Sequence, residues 1–220
     1  MTSSSSSSIF QKPPEWRPGF DLASKNLLKH QDVKDIVTRA VVSTAGEMYS
    51  LGDTNWPYGS TSDVVNASQH QLLDHPPIII EVQYEVTFDF INRDIRYCTM
   101  AYNRYSKLPV LIVYCINKVT GIASNLIQPS ILPCSTSLVC DLWARKCIII
   151  SKDLVQSWIG KPLVPFAALT IFMVSKEECL VASANWQDAT LEHLFGVMKQ
   201  MIKSKMDREA LLLDAIASIC

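Results

Sequence analysis

Apolar and polar positions along the chain fall into a few legible patterns, and the clearest lies in residues 76–116, PPIIIEVQYEVTFDFINRDIRYCTMAYNRYSKLPVLIVYCI. Pro76-Pro77 favours extended backbone, and Ile78 to Gln83 reads as a short strand rich in β-branched residues. Side chains alternate faces along a strand. Ile78, Ile80 and Val82 therefore share one face, and Ile79, Glu81 and Gln83 share the other. An acid on so apolar a strand needs a partner or a purpose.

A helix is predicted next. Thr87 can cap it, and Asp89 places a negative charge in the first turn, where the helix dipole favours it. Phe88, Ile91, Ile95, Cys98, Tyr102 and Tyr105 recur at spacings of three and four, which predicts one apolar stripe. Arg93 and Tyr97 lie four apart, outside that stripe. Pro109 then opens the run VLIVYCI, as expected of a central strand covered on both faces. Strand, helix and strand together predict a right-handed βαβ unit, with Glu81 near the C-terminal end of its first strand, where α/β sheets place their sites.

Elsewhere the pattern is looser. Residues 1–20 form a Ser-rich, then Pro-rich tail, read as disordered or loosely attached. A helix is expected from Asp21 to about Ala40, a strand or hairpin over 41–51 with Gly46 as its turn, and a short strand at Asp63-Val64-Val65. Asp32 and Asp35 on the first helix read most simply as solvated charges, and His70 and His75 lack metal-ligand spacing. After Cys115 we expect a connection, a strand ending near Ile150, and a short helix from Ser151 through Trp158. The PLVPFAALTIFMVS run is ambiguous between strand and helix. Asp188 or Thr190 is expected to cap a helix to about Lys203, and a last helix to cover 207–219. The apolar IASIC end suggests a fragment or a packed terminus. The domain reading is a tail over 1–20 and one domain over 21–220, with its core in 22–116 and an extension over 117–220.

Composition narrows the class. Of the 220 residues, 48% are hydrophobic and 19% charged, enough for one α/β domain and too apolar for a disordered chain. The net charge of −1 does not advertise nucleic-acid binding, although a local patch is compatible with it. Seven cysteines are scattered without a CxxC, so neither a disulfide framework nor structural zinc is expected, and a reducing compartment is favoured. No secretory leader and no stretch of membrane-spanning length is visible, so no membrane association is expected. The expected location is nuclear or cytoplasmic.

The E-x-Q strand, the R-x-x-x-Y helix and the P-V-L-hydrophobic strand resemble the PD-(D/E)XK nuclease superfamily. The resemblance covers residues 22–116 and is closest to the transposase-like branch that includes the Rpn group; a set of uncharacterised fungal proteins is similar too. It implies a restriction-endonuclease-like α/β core, a small mixed sheet flanked by helices, with C-terminal helical additions. It also implies that an acid on one strand and an E-x-K on the next hold Mg²⁺ or Mn²⁺. The matching positions are Asp63, in SDVV, and Glu81, with Gln83 where the family usually carries lysine. Some members carry glutamine there.

The implied chemistry is phosphodiester hydrolysis of DNA. Asp63 and Glu81 would hold the metal, Gln83 would position the attacking water, and Arg93 and Tyr97 would face the phosphate. Gln83 donates and accepts hydrogen bonds but brings no charge. A structural alternative pairs Glu81 with Arg93 across the strand-helix interface. The functional alternatives are a metal-dependent endonuclease, of mobile-element origin by the same resemblance, and a degenerate nuclease fold kept to bind nucleic acid or protein. A homodimer is compatible with either, and an unrelated α/β domain is a third reading.

Overall fold

The run from Val110 is the spine of the molecule. In the computed structural model, which describes residues 21–70, 74–175, 185 and 187–217, it is strand β4 (Val110–Val119), and its first seven residues are buried. A strand covered on both faces gains nothing from alternation, which is why it reads as unbroken apolar sequence. Two strands flank it in parallel: β3 (Ile78–Val86) and β7 (Lys146–Ser151). On one side the sheet continues antiparallel through β2 (Val64–Ser68) to β1 (Tyr49–Leu51). On the other it continues antiparallel through β6 (Thr136–Leu138) to β5 (Ile127–Pro129). The result is a mixed, seven-stranded sheet in the order β1-β2-β3-β4-β7-β6-β5. It is larger than the small sheet expected, because three of its strands come from beyond residue 116.

Helices cover both faces. Ile78, Ile80, Val110, Ile112, Ile148 and Ile150 point to one side. There they pack against α1 (Asp21–Leu28), α2 (Gln31–Val42), α5 (Pro165–Ser175) and α6 (Ala189–Ala217), and Val155 of α4 (Lys152–Gln156) joins them. Ile79, Leu111, Val113 and Ile149 point to the other side, under α3 (Phe88–Tyr105) and Trp56. The alternation predicted for β3 is therefore the alternation observed. The ambiguous 162–175 run is helical where described as α5, and Phe166 to Val174 are buried on every side, which explains its lack of a polar face. None of the helices among the described residues is long and apolar enough to cross a membrane.

Several expectations need correction. The first helix is two, broken at Lys29-His30, and His30 caps the second by accepting from Asp32 N at 3.4 Å. Of the strand or hairpin expected over 41–51, the strand is the form found, but only over Tyr49–Leu51: α2 runs on to Val42, and Gly46 opens a 3₁₀ turn over Gly46–Met48. The two C-terminal helices are one continuous α6. Its start is as predicted: Asp188 Oδ1 accepts from Thr190 N and Leu191 N, both at 3.0 Å. The stripe on α3 is rotated from the one predicted. Phe88 and Tyr102 are exposed, while Phe90, Ile91, Asp94, Tyr97, Cys98 and Ala101 are buried. The tail over 1–20, Cys179 and residues 218–220 lie outside the described residues.

Candidate functional site

The β2–β3 hairpin brings Asp63 and Glu81 together. Val64 lies opposite Ile80, and Val65 opposite Ile79, so Asp63, one residue before β2, comes opposite Glu81. Facing residues of an antiparallel pair point to the same side of the sheet. At this end the side chains replace the ladder. Glu81 Oε1 accepts from Asp63 N at 3.2 Å, and Asp63 Oδ2 accepts from Val82 N at 2.7 Å. Each carboxylate thus spends one oxygen on the other strand's backbone.

The second oxygens face cations. Lys25 Nζ, on α1, lies 2.8 Å from Asp63 Oδ1. Arg93, on α3, lies 3.8 Å from Glu81 Oε2 and also 3.8 Å from Asp94 Oδ1. The Glu81–Arg93 proximity expected across the strand-helix interface is present at that longer distance, beyond hydrogen-bond length.

Asp94 is a third acid at the site. It is 1% exposed, and neither carboxylate oxygen has a hydrogen-bond partner among the described residues. Burial, chiefly, and then the Asp94 and Asp63 charges push Glu81 up to about 9. Burial likewise pushes Asp94 up to about 8, with Arg93 opposing and Asp63 adding to the rise. Loss of solvent, more than the neighbouring charges, is what disfavours the ionised form of both carboxyls here.

The remaining predicted residues separate. Gln83 is half-buried on the same strand face as Glu81, just before a register shift between Gln83 and Glu85. Arg93 stacks over the Phe90 ring at 4.8 Å and the Tyr97 ring at 5.7 Å. Tyr97 is 4% exposed and stacks on Trp56 at 6.1 Å, so its ring packs the core beneath the 53–62 loop. Asp32 and Asp35 are engaged elsewhere, Asp32 with His193 at 2.7 Å and Asp35 with Arg39 at 2.6 Å. His75 stacks on Tyr49 at 5.9 Å.

Sequence reading missed Lys25 and Asp94. Asp94 did carry a signal, since it lies three residues after Ile91 and four before Cys98, in line with the apolar stripe. Lys25 carried none, because only the packing of α1 against the sheet brings it to the hairpin.

The donor set suits a hard cation in part. Two carboxylates contribute oxygens, and Mg²⁺ is held by one or two carboxylates with the rest water. Among the described residues, no group of three or more acidic, His or Cys side chains has metal-holding geometry, so Asp94 is not arranged as a third ligand. No protein-family model, no curated protein and no solved structure matches the chain.

Proposed function

We propose that this protein is a metal-dependent phosphodiesterase of the PD-(D/E)XK kind, acting as a DNA endonuclease. The observation that carries the reading is the facing of Asp63 and Glu81 across the hairpin end, with Gln83 on the same strand face. The order helix, three antiparallel strands, crossover helix and parallel strand supports a restriction-endonuclease-like core.

In this reading Asp63 and Glu81 hold Mg²⁺ or Mn²⁺ through the oxygens that now face Lys25 and Arg93. The bound metal supplies a polarised phosphoryl oxygen and a water of lowered pKa. Gln83 orients the attacking water with its amide. Lys25 brings to the acid pair the positive charge that Gln83 lacks, at 2.8 Å from Asp63. Arg93 offers donors to the phosphate. Glu81 would have to bind such a metal as the carboxylate, against the burial that favours its protonated form.

The test is metal-dependent cutting of plasmid and single-stranded DNA. Glu81→Gln should lower cleavage by orders of magnitude, and Gln83→Lys should keep or raise it. Equal cutting by wild type and Glu81→Gln would show that the site assignment is wrong.

A second reading is a degenerate nuclease fold that binds without cutting. Lys25 and Arg93 favour it, because they already face the oxygens a metal would use. Wild type that binds DNA but cuts in neither metal would select this reading.

A further inference from the structure

Arg93 belongs to two places at once. It faces Glu81, and it also lines a cleft of about 690 Å³ shared with Gln83, Thr87, Arg96, Met100 and Tyr58. The acid pair and the cleft therefore have a common wall.

Tyr58 comes from the 53–62 loop, which is built as a rigid mount. Asn55 bridges Thr61, Trp56 N donates to Ser60 O at 2.8 Å, and Trp56 Nε1 donates to Ser62 Oγ at 3.0 Å. The Trp56 ring is 4% exposed against Tyr97. Arg104 clamps the loop from α3, donating to Asp53 O and Asn55 O, both at 2.6 Å, with its guanidinium 4.3 Å over Trp56. At the foot of the loop, Gly52 lets the chain pass Tyr105, since an added Cβ would stand 2.7 Å from its hydroxyl.

The tip of this mount is unusual. Tyr58 has φ 66° and ψ 25°, in the left-handed region, and is followed by Gly59 at φ 74°. A tyrosine there costs roughly 1 kcal/mol that glycine would avoid. Its ring is 99% exposed, so folding recovers nothing from it. A large aromatic ring at a strained and fully exposed position, on an anchored loop beside a cleft, points to a ligand.

The cleft limits what that ligand is. A flat exposed ring stacks a base, and arginines pair with phosphate oxygens. Arg96 is exposed, and among the described residues Asp89 is the only acid lining the cleft. The volume falls in the range of small-ligand sites, room for a nucleotide or two. We propose that the cleft takes a single strand of nucleic acid, with a base stacked on Tyr58 and a phosphate on Arg96, so that the adjoining phosphodiester reaches Asp63 and Glu81. The last clause rests on the nuclease reading; the binding itself does not.

Fluorescence anisotropy of the full chain in EDTA tests this, with a labelled oligothymidylate about 12 nucleotides long and a hairpin duplex of similar size. We expect the single strand to bind about tenfold or more tighter than the duplex, and Tyr58→Ala to lose about tenfold or more of that affinity. Tyr58→Phe should retain it. Tyr58→Gly should lose it while unfolding at the same or higher temperature, which separates a ligand role for the ring from a structural one. Arg96→Gln should weaken binding and flatten its salt dependence. Duplex binding as tight as the single strand, or Tyr58→Ala binding as well as wild type, would overturn the proposal. Wild type that shows this binding pattern yet cuts no DNA would sink the nuclease reading and leave the single-strand site standing.

Discussion

Replacing Glu81 by glutamine should stabilise the fold at alkaline pH while removing a candidate metal ligand. The amide keeps the shape and still accepts from Asp63 N, the contact now made at 3.2 Å. What it removes is the burden of a buried carboxylate. Glu81 is 3% exposed, and its folded pKa, raised chiefly by burial to about 9, lies well above the unfolded value. Between roughly pH 4 and that folded pKa, the folded state binds the extra proton. Its contribution to stability is therefore complete below the unfolded pKa and lost as pH rises through about 9. Each pH unit in that window costs about 1.4 kcal/mol for one such group. From pH 5 to pH 8 the upper bound is ~4 kcal/mol, and relaxation of the site towards water brings the expected loss to ~2 kcal/mol. Glu81→Gln should recover that amount at pH 8 and change little at pH 5. Urea unfolding of both proteins at the two pH values, without divalent metal, measures it. A variant less stable than wild type at pH 8, or displaced equally at both pH values, would refute the reasoning.

Mg²⁺ at saturating concentration should raise the unfolding temperature of wild type at pH 8 but not that of Glu81→Gln, by the mass action of a ligand held only by the native state; differential scanning fluorimetry reads this. Lys25→Met should change stability by no more than ~1 kcal/mol, because the pair with Asp63 is partly exposed, yet lower cleavage about tenfold or more in the plasmid assay. Trp56→Ala should cost about 3–5 kcal/mol in urea unfolding, since it empties the space between Tyr97 and Arg104. Asp188→Ala should cost ~1 kcal/mol in the same measurement, because two amides at the start of α6 lose their acceptor.

The parts of the fold that could be read in advance are those where one local rule acts alone. Strand β3 announced its two faces through the alternation that begins at Ile80, and β4 announced its central place by having no polar residue before Asn117. Thr87 and Asp188 cap their helices as their side chains predict. The failures come where tertiary packing overrides the local signal. Phe88 and Tyr102 looked like core residues on α3, but the sheet covers the neighbouring face and leaves them in solvent. The break between α1 and α2 has no glycine or proline to mark it. Strands β5 and β6 are three residues long each, too short for periodicity to register. At the candidate site, the pairing of Asp63 with Glu81 comes from the family resemblance and not from strand patterning. Nothing in the sequence brings Lys25 to that pair, and the predicted stripe runs through Ile95 rather than Asp94.

The lacing of Asp63 and Glu81 ties the acid pair to strand register rather than to the segment that joins the strands. Asp63 faces Glu81 for the same reason that Val64 faces Ile80, so the two acids travel as a unit. Residues added between Ser68 and Ile78 leave their facing untouched. A single residue added within β2 turns Asp63 to the opposite side of the sheet and parts the pair at once. Lineages of this chain are thus free to lengthen that connection, whereas the spacing from Asp63 to Ser68 is closed to insertion as long as the pair is in use.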